Sequence, residues 1–405
     1  MRPPIWSYFA ISLLGFWMLF TTIGFHFQPK DLLFTNLIAA IFLILFPLWI
    51  RKTPKNWHHI LILFFGIWLE LSPLIFWAPS VGIYLNNTLI GCFIIALAVI
   101  FFPLPNQLPD DEPSIPPGWS YNPSSWPQRV PILLSAFICW MLSRYLAAYQ
   151  LGYIDTIWDP FFSPGAKGVL ESNVAKLFPV SDAGLGALAY TLEFLASCWG
   201  GKSRWRTAPW LVIVFGLLVI PVGLVSVILV ILQPLAVGTW CTVCLITAST
   251  MLIAVPLALD EVVASFQFLQ ATKWKTLFSG GQCPKAKKDL VTPEMDASCF
   301  TICKAGFWGM DFSWTLFCTI PLGILLMASP SAFSLQGSLH SLDPVLGALL
   351  IVFSVIAMAE VAKKIRYLNV LLGLILLILA FISMEMPLLH IPTALAAISL
   401  AVIPK

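Results

Sequence analysis

The stretch "QPLAVGTWCTVCLITAS", Gln233 to Ser249, places two cysteines three residues apart in a run without one charged residue. In a soluble chain a Cys-x-x-Cys suggests zinc or redox chemistry; this run is apolar enough to lie in a membrane. The whole chain supports that placement. Of its 405 residues 59% are hydrophobic and only 10% charged, with a mean hydropathy of +0.90, whereas an ordinary soluble domain carries about 25% charged residues. A bilayer-spanning helix needs roughly 20 mostly apolar residues. The pattern predicts an all-α, polytopic membrane protein of about twelve transmembrane helices: Ile5–Phe25, Leu32–Ile50, Trp57–Phe76, Thr88–Leu104, Val130–Tyr149, Ala183–Trp199, Pro209–Leu232, Leu235–Leu259, Trp314–Ser329, Pro344–Ala362, Tyr367–Met384 and Met386–Ile403. The first leads straight into another span without a small-x-small cleavage site and reads as an anchor, not a secretory signal.

The net charge of +3 says little, but its distribution is informative. Basic residues gather at Arg51–Lys55, Gly201–Arg206, Lys273–Lys275, Lys285–Lys288 and Lys363–Arg366. By the positive-inside rule these belong to the cytoplasmic side. Twelve spans with both termini cytoplasmic put every cluster there and Cys241 and Cys244 near the outer face. The clusters read as topology signals, with no nucleic-acid partner.

Two polar, proline-containing segments divide the spans four, four and four. The expected organisation is a four-span block at 1–103, a Pro-rich cytoplasmic linker at 104–129, a central four-helix bundle at 130–269, a second cytoplasmic linker at 270–313 and a four-span block at 314–405. The outer blocks share a pattern. "LELSPLIFWAPSVGIYLNNTLIGCFIIALAVI" (Leu69–Ile100) parallels "LMASPSAFSLQGSLHSLDPVLGALLIVFSVI" (Leu326–Ile356): each has a Ser-Pro, a short loop, and a polar residue four positions before a Gly. "FTNLIAAIFLIL" (Phe34–Leu45) likewise parallels "YLNVLLGLILLI" (Tyr367–Ile378). These fragments resemble the SPW-repeat membrane module, although neither copy keeps a Trp directly after Ser-Pro.

Zinc needs four converging ligands. On this topology the remaining cysteines and the five histidines are scattered, so no metal is expected. A redox dithiol fits better. Residues three apart share a helix face, the proline and glycine of "QPLAVG" suit a helix start, and a thiol near a helix N-terminus has a lowered pKa. The plainer alternative is a pair of buried cysteines acting as small hydrophobes.

Beyond the dithiol, residues 130–269 resemble the vitamin K epoxide reductase family. "GTWCTVCLITA" (Gly238–Ala248) looks like its redox span, "KGVLESNVAKLF" (Lys167–Phe178) like its outer loop and half-helix, "SDAGLGALAYTLEFL" (Ser181–Leu195) like its second helix, and "RWRTAPW" (Arg204–Trp210) like the inner loop before its third. The resemblance implies four helices around a quinone pocket, and electron transfer between an outer-face dithiol, Cys241 and Cys244, and the quinone. It places Ser172 and Asp182 at the outer loop and pocket mouth, with Phe162 among loop aromatics that either lie over the pocket or anchor in the membrane interface. An Asp there is expected to be protonated or hydrogen-bonded; the alternative is a helix start capped by Ser181 or Asp182. The family's further cysteine pair in the outer loop is missing: Trp158 and Ala166 stand about where it aligns. The implied partners are membrane lipid, a quinone, and a periplasmic or extracellular thioredoxin-like thiol protein that reaches the dithiol directly. The implied location is a bacterial inner membrane. A transporter or scaffold built from repeated blocks, with a degenerate redox domain, is the alternative.

Among other polar residues, Glu193 is expected to pair with Arg204 or Arg206, Asp260 and Glu261 to be solvated caps at an inner helix end, and Glu70 to be interfacial.

Overall fold

The computed structural model describes residues 4–24, 29–53, 55–100, 113–272, 274–332, 339–383 and 387–403. Each expected span is a helix. The first block is α1 (Ile5–Gly24), α2 (Lys30–Ile50), α3 (Asn56–Ile75) and α4 (Val81–Ile100). The middle is α5 (Trp126–Gln150), α6 (Gly165–Glu171), α7 (Asp182–Cys198), α8 (Arg204–Thr207), α9 (Pro209–Leu232) and α10 (Thr242–Thr272). After them come α11 (Cys299–Gly306), α12 (Trp314–Ala332), α13 (Leu339–Ile356), α14 (Leu368–Ser383) and α15 (Pro387–Val402). Among the described residues eight helical stretches are long and apolar enough to cross a membrane; Trp314–Pro330, Leu342–Ile356 and Pro387–Val402 are apolar but shorter, and α7 has 17 residues. The chain is an all-α polytopic membrane protein. Exposed Phe16, Phe20, Leu13 and Ile23 on α1, and their like on other helices, form the lipid-facing side.

The eighth span departs from its expected start. Gln233–Val237 form a π-helical turn, ended by Gly238 at φ +76°, which only glycine adopts cheaply. The helix therefore begins at Thr242 instead of Leu235, and it runs 31 residues. This shift sets the cysteine pair on the first turn.

α5, α7, α9 and α10 enclose a core of Cys139, Tyr190, Phe215, Val219, Met251 and Ala254. The outer blocks pack on either side of it. In the first, Gly66 and Gly91 bring α3 and α4 so close that neither has room for a Cβ; Gly323 and Gly347 do the same for α12 and α13. Above each glycine contact sits a buried polar cluster. Asn87 donates to Asn36 of α2 (3.0 Å) and Ser72 (3.4 Å). In the last block Asp343 accepts from Ser329 (2.9 Å) and meets His390 of α15 (2.9 Å). Leu69–Ile100 and Leu326–Ile356 thus share a close glycine contact with a buried polar cluster beside it. The pairing of Phe34–Leu45 with Tyr367–Ile378 is corrected: α15, not α14, takes the place of α2. Asn369 of α14 instead donates to Ser354, near the far end of α13.

Neither expected linker is loose in its described part. Residues 104–112 of the first lie outside the described residues. From Pro113 on, the chain folds against the inner end of the bundle: Ile115 pairs with Lys287 across an antiparallel bridge, Trp205 Nε1 donates to Ser114 O (2.7 Å) and Arg206 to Pro113 O (2.7 Å). α5 begins at Trp126, inside that segment, with Pro127 in the first turn, where a missing N–H costs nothing. The second linker contributes α11, whose Gly306 lies against the backbone of Pro127.

Candidate active site

Cys241 immediately precedes α10 and Cys244 lies on its first turn. Their sulfurs are joined as a disulfide, 2.29 Å apart. The Cys244 amide donates to Cys241 Sγ (3.2 Å), so the sulfur occupies the capping position at the positive end of the helix. Gln233, from the π-turn, accepts the Cys241 amide (3.0 Å). Cys241 is completely buried, packed with Leu146, Ala166, Leu170 and Val243. Cys244, half-buried, packs against the edge of the same cluster.

The loop between α5 and α7 holds this turn in place through one side chain. Asp159 accepts from the Thr242 hydroxyl and amide (3.4 Å for the amide), and from the amides of Ala166 (2.7 Å) and Phe162 (3.4 Å). It caps α6 and the redox helix at once. Burial alone would raise its pKa, but the bonds from Thr242, Ala166 and Phe162 outweigh that and hold the carboxyl below its usual range. Gly165 sits so tightly on Thr239 and Trp240 that a Cβ would clash with both.

Cys244 opens on a cavity of about 380 Å³ between α7, α9, α10 and the outer loop. Its wall is mostly apolar (Leu146, Leu177, Phe178, Val222, Leu229, Val230) with Ser143, Ser172, Asp182, Tyr190, Ser226 and Gln233 as the polar groups used below. Ser172 lies in this wall, donating to Val169 O (2.7 Å) and accepting from the Ala175 amide (3.3 Å), so it closes the half-helix α6. Ser181, not Asp182, is the N-cap of α7, accepting from the Gly184 amide (2.9 Å). Asp182 is left to line the cavity, with Gln150 donating to it (2.5 Å).

The structure thus gathers Cys244, Ser172 and Asp182 around one cavity, with Cys241 behind Cys244. Phe162 is not among them: its ring lies 6.4 Å from that of Trp240, outside the cavity wall. Trp158 and Phe161, on the same loop, are 60% and 78% exposed, as interface anchors are. Gln150 and Gln233 were not singled out from the sequence, although each is an isolated amide at the end of an apolar run. Among the described residues no group of three or more His, Cys, Asp or Glu side chains forms a metal site.

At the opposite end of α10 several expectations are overturned. Glu261 and Asp260 are buried, not solvated caps. Arg204 grips Glu261 through Nε and Nη2 (both 2.5 Å) and spends Nη1 on the carbonyls of Ala196 and Trp199 (each 2.7 Å), the free end of α7. Tyr121 donates to Asp260 (2.5 Å), and Ser124 to Glu261 (2.5 Å). Neither carboxyl oxygen of Glu193 has a hydrogen-bond partner, so it pairs with neither Arg204 nor Arg206. Glu70 is buried at the α3–α7 contact, accepting from Thr191 (3.1 Å), and is not interfacial.

A disulfide on the first turn of a membrane helix, opening on an apolar cavity in a four-helix bundle, is the arrangement of a membrane thiol oxidoreductase. Residues 130–259 match the family model of the Vitamin K epoxide reductase family. No curated protein and no solved structure matches the chain. The matched stretch contains the dithiol, the cavity helices and the outer loop, and stops short of both flanking blocks.

Proposed function

We propose that this protein is a thiol–quinone oxidoreductase of the membrane: a partner's thiols reduce the Cys241–Cys244 disulfide, and the electrons leave through Cys244 to a quinone. The observation that carries the reading is the difference between the two sulfurs. Cys244 lines the apolar cavity, while Cys241 does not and is fully buried against Ala166 and Leu170 of the outer loop. A two-electron pair with one sulfur toward a lipid-side acceptor and the other toward an outer-loop donor fits transfer between the two.

The cavity suits a quinone head group. Its volume lies within the range of roughly 300–1,000 Å³ for small-molecule sites, and Asp182 and Ser172 are among the few polar groups of a mostly apolar lining. A quinone there would supply a two-electron, two-proton acceptor. The chain's own part is to hold Cys244 against that space, donate hydrogen bonds from Asp182 or Ser172, and exclude water. Exchange with an outside thiol starts from a buried Cys241, so residues 151–181 have to lift from the dithiol turn. Ala166, where the family resemblance places a loop cysteine, packs in the same cluster as Cys241. A partner's thiol, of thioredoxin-like chemistry, would enter from that direction and do the work of the missing loop pair. Exchange is set by thiolate fraction and access, and the helix start favours the thiolate on Cys241.

In the same reading the basic clusters mark the cytoplasmic side of a bacterial inner membrane, both termini lie inside, and the dithiol lies near the outer face. The bundle at 130–269 is the redox domain and the blocks at 1–103 and 314–405 are membrane modules beside it. The test is quinone reduction by the purified protein with a dithiol donor, wild type against Cys244→Ala. Quinol formation by wild type and its loss in Cys244→Ala are expected; equal rates would refute the proposal.

A further inference from the structure

Most buried carboxylates in this molecule are anchored by a side chain: Glu70 by Thr191, Asp159 by Thr242, Asp260 by Tyr121, Glu261 by Arg204 and Asp343 by Ser329 and His390. Glu193 is the exception among the described residues. It is fully buried on α7, and neither of its carboxyl oxygens has a hydrogen-bond partner. A glutamate with no structural bond to make, in the core of a membrane bundle, is costly to keep and marks a proton-handling position.

Its place says what the proton is for. Glu193 lies one helical turn beyond Tyr190, on the same face of α7, and within electrostatic reach of Tyr190 and of Cys139 on α5. Tyr190 lines the inner part of the cavity, with Ser226 of α9 as its hydroxyl neighbour. Around them α9 and α10 contribute Phe215, Val219, Met251 and Ala254, which are apolar. At the inner end Arg129 donates to the carbonyls of Gly200 and Gly201, and Arg204 to Glu261, none of them to Glu193. Of the groups in its reach, Tyr190 is the one that lines the cavity; Cys139 does not.

We infer that Glu193 is a proton-relay residue that feeds the inner end of the cavity through Tyr190. The inference rests on the thiol–quinone reading and deepens it. When the dithiol is oxidised, the S–S bond forms, both S–H protons leave and two electrons pass to the quinone. Each of the two carbonyl oxygens then takes one proton to give the quinol. Asp182 serves the mouth of the cavity. Tyr190 passes a proton at the inner end and takes one from Glu193, which is reloaded from the aqueous side toward which α7 ends.

The test uses the full-length protein reduced with dithiothreitol and mixed with a short-chain ubiquinone, comparing wild type, Glu193→Gln and Glu193→Asp. Loss of a proton donor is expected to slow quinone reduction about 100-fold in Glu193→Gln, to flatten its pH profile, and to be largely rescued in Glu193→Asp. Oxidation of the same dithiol by diamide, which needs no quinone protonation, should be unchanged in all three. Independently of turnover, the infrared difference spectrum of wild type on quinone reduction should contain a carboxylic C=O band that is lost in Glu193→Gln. Wild-type rates and pH profile in Glu193→Gln, or no such band in wild type, would overturn the relay while leaving thiol–quinone transfer intact. A wild type that oxidises its dithiol with diamide but never with quinone would instead defeat the underlying reading, and the relay with it.

Discussion

The two ends of α10 are built for opposite purposes. At its start, Cys241 and Cys244 are held by neutral or singly charged groups (Gln233, Thr242, Asp159), and one sulfur opens on a cavity. Some 27 Å along the helix by its rise per residue, Asp260 and Glu261 are locked among Arg204, Tyr121 and Ser124, the last two from the folded segment that follows Pro113. One end opens an apolar cavity beside a reactive sulfur; the other ties its carboxylates to an arginine, a tyrosine and a serine. A buried ion pair that also closes a helix terminus adds rigidity at the end that does no chemistry, leaving the freedom to move at the end that does.

The sharpest way to break this contrast is to cut the lock. Arg204→Ala leaves Glu261 buried without its counter-charge and the last carbonyls of α7 without a donor. Losing one partner of such a pair costs about 3–5 kcal/mol, so thermal unfolding in detergent should show a large loss of stability, and a variant as stable as wild type would remove the structural role assigned to this end. The next effect lies at the cavity. Because Ser181 carries the cap, Asp182→Ala should fold normally yet lose a hydrogen bond to the quinone, raising its KM about tenfold, the equivalent of one bond of roughly 1.4 kcal/mol. Unfolding with unchanged quinone affinity in the surviving enzyme would take Asp182 out of the site.

How far these ends could be read in advance differs for a physical reason. The helices and the dithiol turn are local: a run of apolar residues, a glycine at positive φ, and two cysteines three apart are legible within a few residues of each other. The family resemblance added the loop and the second helix in their order, and so Ser172 and Asp182. The inner lock is not local. Arg204 and Glu261 are far apart in the chain, and nothing in "LDEVV" distinguishes a carboxylate that meets an arginine from one that meets water. The same distance hides from the sequence that Glu193 pairs with neither Arg204 nor Arg206, and that the proline-rich stretch folds back, with Pro127 at a helix start and Pro113 O accepting from Arg206. Which of its two alternatives Phe162 takes is not legible locally either, because a loop's path is set by what it docks on, here Asp159 against Thr242.

That docking supplies the smallest effect. Asp159→Asn should weaken the hold of the loop on the dithiol turn and speed alkylation of Cys241 in the reduced protein a few-fold, while leaving global stability nearly unchanged. The sign of its pH dependence follows from the lowered carboxyl. The stabilisation it gives is complete above the ordinary carboxylate value of about 4 and is lost only as pH falls through the still lower folded value. Loop docking should therefore be level across neutral and mildly acidic pH and loosen only in strong acid, as followed by the rate of Cys241 modification after rapid reduction. Loosening between neutral pH and about 5 would show that another group holds the loop.

The central claim, that the outer end of α10 carries electrons between thiols and a quinone, is tested most directly by the redox state of its cysteine pair. Membranes containing the protein are given a dithiol donor, then quinone is supplied or withheld, and free thiols at Cys241 and Cys244 are trapped by alkylation and counted by mass. The account expects the pair to be reduced when quinone is withheld and oxidised when it is supplied, with Cys139 unaltered throughout. A pair that stays in one state under both conditions would contradict it.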